Sequence, residues 1–210
     1  MKILYGRFAM GSLTLLMSGS ILLQGEAKRQ EPQFEKESRR SSGIYDMAGV
    51  SSFRKDSAKP QTAEANFLDS TGKKVGKATL KEQAGGGVLI SFNLNGLPVG
   101  THGIHIHETG TCTQPDFKSA GKHFSVGDKK HGKHNPQGPH AGDLGNIEVK
   151  EGGRAKASVK ASEVTLSSLI RPGGTAIVIH AKTDDEKTDP SGNSGDRIAC
   201  GVIQAGASRK

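Results

Sequence analysis

The sequence predicts an all-β fold, a sandwich or barrel of about eight strands carrying two long functional loops. Three observations predict it. From Thr62 onward the chain falls into short alternating apolar and polar runs, each closed by turn residues. The composition holds 29 Gly, no Trp and only 4% aromatic residues, which suits a loop-rich β domain better than a helical bundle. Two long polar stretches lack any periodicity, and both lie beside histidines.

The strands follow in order. Glu64 to Leu68 is strand-like and stops at Asp69-Ser70-Thr71-Gly72, a hairpin signal. Val75 to Leu80 alternates, Ala84-Gly85-Gly86-Gly87 breaks the chain, and Val88 to Leu94 alternates again before the turn Asn95-Gly96-Leu97-Pro98. His102 to His107 is the next strand, followed by the first long loop, Glu108 to Asp143. Ile147 to Val149, Ala155 to Val159, Ala176 to His180 and Ile198 to Ile203 complete the set. The second long loop runs from Thr183 to Arg197.

The 61 residues before Thr62 divide in two. Lys2 and Arg7 precede an uncharged run, Phe8 to Leu23, which is short for a membrane span of about 20 apolar residues and has the layout of a secretory signal peptide. Gly25-Glu26-Ala27 is a small-x-small triplet, so residues 1–27 are expected to be the signal, cleaved after Ala27 or kept as an N-terminal anchor, and the protein to be exported, whether to the periplasm, the cell envelope or the medium. Residues 28–58 are dense in Lys, Arg, Glu and Ser, and their apolar residues are too scattered for an amphipathic face. They are expected to form a flexible charged linker to a domain spanning 59–210. The net charge is +8; from Lys59 onward 20 Lys and Arg stand against 15 Asp and Glu, leaving +5 on the domain. The excess is not interleaved with aromatics, which argues against nucleic acid as a partner. A basic linker lying against an anionic envelope, or simple solubility, accounts for the charge. Export favours a disulfide between the only two cysteines, Cys112 and Cys200, over two separate buried thiols.

All eight histidines lie between 102 and 180. In Ile104-His105-Ile106-His107 the two-residue period of a strand puts both imidazoles on one face and both isoleucines on the other. The isoleucines can anchor in a core while the imidazoles converge on one ion; a pair of surface histidines is the competing reading. The first loop adds His123, His131, His134, His140 and Asp143, a set from which three His and one Asp would suit Zn²⁺. A solvated His- and Lys-rich loop is the plainer reading. His180 closes its strand on the face of Ala176 and Val178. These residues alone indicate a multi-histidine metal site and leave the reaction open.

Five blocks carry a resemblance. They are Gly103-Ile104-His105-Ile106-His107-Glu108, Ser119-Ala120-Gly121-Lys122-His123-Phe124, His140-Ala141-Gly142-Asp143-Leu144-Gly145-Asn146, Val178-Ile179-His180, and the run Gly192 to Ile203 that contains Arg197 and Cys200. In order and spacing, from about Gln61 to Gln204, they resemble the copper,zinc superoxide dismutases. The loop from Asn135 to Asp143 is more similar to Gram-positive bacterial members than to animal ones. The resemblance implies an eight-stranded Greek-key fold, of which this family is itself a standard example, as it is of electrostatic steering. It implies copper held by His105, His107, His123 and His180, and zinc held by His123, His131, His140 and Asp143, with His123 bridging the two ions. Asp184 falls where the family places a carboxylate linking copper and zinc ligands, Cys112 and Cys200 match the family disulfide, and Arg197 matches the arginine that attracts superoxide. His134 and His102 fall outside these sets: His134 is expected to be a solvated loop residue, and His102, beside Gly103, to pack or hydrogen-bond. The oligomeric state is open.

The reaction so implied is disproportionation of superoxide to dioxygen and hydrogen peroxide, with His123 and Arg197 as catalytic residues. The alternative is a non-enzymatic zinc- or copper-binding protein of the cell envelope. Such a relative would be expected to lack a copper ligand or the arginine, and this chain has all of them.

Overall fold

The computed structural model describes residues 62–206. The expected signal peptide and linker lie outside these residues. Eight strands form in the expected order: β1 (Thr62–Asp69), β2 (Lys74–Glu82), β3 (Val88–Leu94), β4 (Gly100–His107), β5 (Asp143–Val149), β6 (Ala155–Ala161), β7 (Ala176–His180) and β8 (Arg197–Ala205). All ladders are antiparallel, and the strand order β5-β4-β7-β8-β1-β2-β3-β6 makes one sheet curled into a nearly closed barrel.

The pleat explains which residues fill it. In β4 the inward pair Ile104 and Ile106 packs with Ile177 and Ile179 of β7, Phe67 of β1, Leu80 of β2 and Ile90 of β3, all fully buried in one core cluster. Burial of each such side chain is worth about 1.5–3 kcal/mol. The core is therefore aliphatic, as a chain without Trp and with few aromatics requires.

A second, smaller cluster lies on the other side of β7 and β8. Ala176, Val178 and Cys200 point outward there and are covered by Phe117 and Ala120 from the first long loop. A single 3₁₀ turn, Lys118–Ala120, shapes that cover. Cys112 and Cys200 are bonded, with Cα atoms 5.7 Å apart and a sequence separation of 88. Closing so long a loop in the unfolded chain is worth about 4–5 kcal/mol as an upper figure. The bond ties the loop to β8 next to the strands that carry the histidines.

Two local differences from the sequence reading have physical causes. β5 begins at Asp143, four residues before the apolar run from Ile147, because Asp143 pairs with His105 across a register shift in β4 rather than continuing a simple ladder. A four-residue helix, α1 (Leu166–Leu169), lies between β6 and β7, capped by the Thr165 hydroxyl, which accepts from Ser168 N–H. Its two leucines join the main core.

Candidate metal centre

The histidines gather on the outer face of the β4–β7 pair, under the two long loops. His105 and His107 are fully buried, on the face opposite Ile104 and Ile106. His180 ends β7 and stands directly opposite Arg197, the first residue of β8. His123 comes from the first loop, where a short return segment runs beside the end of β4: Glu108 N–H donates to Lys122 O (2.9 Å) and Phe124 N–H to Ile106 O (2.8 Å). Asp143 is brought in by its pairing with His105. Strand pairing thus delivers residues far apart in sequence to one place.

Hydrogen bonds fix which nitrogen each ring has to offer. His105 Nε2 lies 2.8 Å from Asp184 Oδ2, His107 Nδ1 lies 3.0 Å from Gly121 O, and His180 Nδ1 lies 3.1 Å from Gly195 O. An oxygen of a carbonyl or carboxylate can only accept, so each of these nitrogens carries the proton and the other keeps its lone pair. Those other nitrogens, His105 Nδ1, His107 Nε2 and His180 Nε2, are buried and meet no hydrogen-bond partner. Leaving one polar atom so costs about 1–3 kcal/mol. Burial pushes the three rings down, to about 3 for His105, about 2 for His107 and about 4 for His180, so all are neutral and able to ligate at neutral pH. Ligand atoms of these three and of His123 lie within 4.8 Å of one another.

Beside them, three imidazoles converge on a single oxygen. Asp143 Oδ1 lies 2.9 Å from His123 Nδ1, 3.0 Å from His131 Nδ1 and 3.3 Å from His140 Nδ1. One oxygen has two lone pairs, so three ring donors exceed what it can accept. Ligand atoms at the corners of a tetrahedron around Zn²⁺ sit about 3.3 Å apart, given zinc–nitrogen bonds near 2.0–2.1 Å. Asp143 Oδ2 accepts instead from the backbone N–H groups of Gly132 and His140, both at 2.9 Å. Burial alone would raise the Asp143 carboxyl, but its bonds to the three histidines hold it well below the usual carboxylate range. Burial lowers His123. For His131 burial acts downward too, but Asp143 on one ring nitrogen and Asp184 on the other outweigh it and raise it to about 9. The tight set on this side comprises His105, His123, His131 and Asp143; His140 stands at its rim, half-buried, with Nδ1 facing Asp143.

Asp184 joins the two sets. Its Oδ2 accepts from His105 and its Oδ1 from His131 Nε2 at 2.9 Å. The Asn146 side chain clamps the Asp184 backbone, accepting from its N–H at 2.8 Å and donating to its carbonyl at 2.9 Å. Gly192, with φ near +62°, leaves the space that this carboxylate occupies: a Cβ there would collide with Asp184 Oδ1 and crowd His131 Nε2.

The Arg197 guanidinium donates from Nη1 to Phe117 O (2.7 Å) and from Nη2 to Gly121 O (2.8 Å), the carbonyl that also accepts from His107 Nδ1. It lines a polar cleft of about 660 Å³ together with Lys122, His123, His140 and His180, which gives small solutes a route to the histidines.

The sequence of the family described as copper/zinc superoxide dismutase (SODC) matches residues 74–203. The chain belongs to this family. Copper/zinc superoxide dismutase 2 of Aquifex aeolicus is 49% identical over 148 residues, covering 68% of this chain and 86% of that protein. The crystal structure of a SOD-like protein from Bacillus subtilis superposes with a TM-score of 0.65 at 40% identity, covering 67% of this chain and 97% of the other. The Cu/Zn superoxide dismutase from Brucella abortus gives 0.58 at 27% identity, covering 68% and 99%. This dismutase therefore converts superoxide to dioxygen and hydrogen peroxide, and its cofactors are copper and zinc. The alternative of a non-enzymatic metal binder is not favoured.

The carbonyls that aim the rings had no signal in the sequence. The carbonyls of Gly121 and Gly195 orient the rings of His107 and His180, and any residue has a carbonyl. His102, buried behind the site, bridges Pro98 O and His180 O at 2.9 and 2.8 Å, which ties the end of β7 to the turn before β4. Asp189 accepts from His131 N–H at 2.8 Å. His134 is exposed, 3.8 Å from Glu186.

Proposed function

We propose that copper is held by His105, His107, His123 and His180, and zinc by His123, His131, His140 and Asp143, with His123 serving both ions. The observation that supports this most directly is the set of three buried ring nitrogens with no hydrogen-bond partner, beside three rings that converge on one carboxylate oxygen. His123 Nδ1 faces Asp143, which leaves Nε2 for the copper side. Copper, when bound, supplies one-electron redox chemistry. Arg197 contributes a permanent positive charge that draws the superoxide anion in and positions it. His123 holds a proton at Nε2 in one half of the cycle and passes it to the second superoxide as that is reduced; with a second proton from solvent, peroxide leaves as H₂O₂. The first superoxide has by then been oxidised to O₂, so two superoxide ions and two protons are consumed. Asp184 keeps His105 and His131 in fixed orientation throughout.

Protein loaded with both metals is expected to carry one copper and one zinc per chain and to dismutate superoxide. Zinc alone, with no activity after copper supply, would overturn the assignment.

For Arg197 the two carbonyl bonds supply a bracing role beside the electrostatic one. Removing the charge in Arg197→Ala is expected to lower kcat/KM several-fold at constant copper content, with Arg197→Lys losing least and Arg197→Glu most. Rising ionic strength should flatten these differences as the Debye length drops from about 10 Å at 0.1 M to about 3 Å at 1 M. Equal losses in Lys and Ala variants, with unchanged salt dependence, would leave bracing as the whole role.

Residues 1–27 direct export as a signal peptide, 28–58 form a charged linker that contacts an anionic envelope, and 59–210 are the enzyme domain. The layout of the sequence supports this, as does the disulfide, which persists in oxidising compartments.

A further inference from the structure

The outer face of β2, β3 and β6 lies across the barrel core from the metal centre. Cross-strand pairing arranges nine outward residues there in three rows: Lys81, Leu89 and Lys160; Thr79, Ser91 and Ser158; Lys77, Asn93 and Lys156. Four lysines hold the corners, all exposed, and no Asp or Glu is among the nine. With strands about 4.8 Å apart and a rise of about 3.3 Å per residue, the corner Cα positions bound a patch of about 10 by 13 Å. Between them lie hydroxyls, an amide and the half-buried Leu89, with Ser91 Oγ and Ser158 Oγ 2.9 Å apart. Arg154, two residues before Lys156 and also exposed, extends the β6 column. The nearest acid on the flanking strand, Glu64 of β1, pairs with Lys77 at 3.5 Å. Among the described residues Lys81, Lys156 and Lys160 form no ion pair. A chain with 15 acids across its domain has kept them off this face.

We propose that this face docks a linear, phosphate-rich polymer, with the lysine columns neutralising charge along it and the central hydroxyls and Asn93 donating to its oxygens. The charge pattern selects a polyanion. A membrane surface is disfavoured because the only large apolar residue of the nine, Leu89, is half-buried, and the exposed large hydrophobics among the described residues are Val99 and Val126, both elsewhere. Duplex nucleic acid is disfavoured because a flat sheet face with no aromatic residue offers nothing to enter a groove or stack on a base. A polymer bound here would leave the metal centre on the far side open to superoxide. All nine residues of this surface belong to the folded domain.

The test uses the full metal-loaded chain and long-chain inorganic polyphosphate as probe. Lys81→Glu/Lys156→Glu/Lys160→Glu is compared with Lys73→Glu/Lys118→Glu/Lys187→Glu, which changes net charge equally at exposed sites off the face. The face variant is expected to lose about ten-fold or more in affinity, and the slope of log K against log salt should fall by about 2–3, one counterion per lost contact. The off-face variant should lose less than about three-fold, and the face variant should keep its dismutase activity at high salt within about two-fold. Equal losses in the two variants would reduce the effect to net charge and overturn the proposal. So would failure of the unmodified protein to bind polyphosphate, or binding that depends on the face only with anionic vesicles or duplex DNA.

Discussion

His107→Ala is expected to leave the protein with less than about a tenth of its copper and to lower dismutation by about three orders of magnitude, while zinc stays near one per chain. The reason lies in the ring's two nitrogens. Nδ1 is committed to Gly121 O, so the substitution removes both a buried lone pair from the proposed copper set and the bond that aims it. Losing only a supporting hydrogen bond to a metal ligand typically costs 10–100-fold in affinity, and loss of the ligand itself should exceed that. The rings that converge on Asp143, the proposed zinc set, do not include this one. A second measurement separates ligation from packing. In metal-free protein the buried, unpartnered Nε2 is a cost of about 1–3 kcal/mol, which offsets the packing lost with the ring. Thermal melts of metal-free His107→Ala should therefore lie near those of the metal-free parent, whereas the metal-loaded proteins should differ widely. Full activity in the variant would show that copper sits elsewhere.

Much of this arrangement was legible in the sequence, for identifiable reasons. β3 and β7 are found at the residues where alternation placed them, because inward residues such as Ile90 and Ile177 must be apolar and the turns between strands need Gly, Asn or Pro. The His105 and His107 pair was legible because the pleat forces a shared face. The start of β5 was not, because Asp143-Leu144-Gly145 breaks alternation where β4 shifts register, and that shift depends on pairing with a strand 36 residues upstream. The helix at Leu166–Leu169 was not, since four residues are too few to show a helical period. Ligand-side chains carry distinctive chemistry and can be picked out one by one. The groups that aim them are backbone carbonyls and a clamp from Asn146 to Asp184, and these become specific only when two distant segments meet. The resemblance to a known family supplied the ligand sets and the reaction, which spacing alone had left open.

Asp143→Ala should have the largest structural consequence of any single substitution in the zinc region. One buried carboxylate serves three imidazoles through Oδ1 and two backbone N–H groups through Oδ2. Removing it deletes one of the proposed zinc ligands and leaves His131, which Asp143 and Asp184 together raise to about 9, with a single carboxylate partner. Breaking a buried charged network by deleting one partner costs about 3–5 kcal/mol. Zinc affinity should fall by at least about 100-fold, because a charged ligand and the orientation of the other three are lost together. The loss should be local: amides between Glu108 and Asp143 should exchange faster and become open to proteolysis, while the barrel core around Ile104 and Ile106 stays protected. Copper should be retained with reduced activity, since His105, His107 and His180 are oriented by Asp184, Gly121 and Gly195 and not by Asp143. His134→Ala is the matched control in the same loop. Its side chain is exposed and only 3.8 Å from Glu186 at its nearest, so both zinc affinity and stability should change little, by less than about 0.5 kcal/mol for the latter. If Asp143→Ala kept zinc at the parent affinity, or lost copper before zinc, the division of the histidines between the two ions would have to be redrawn.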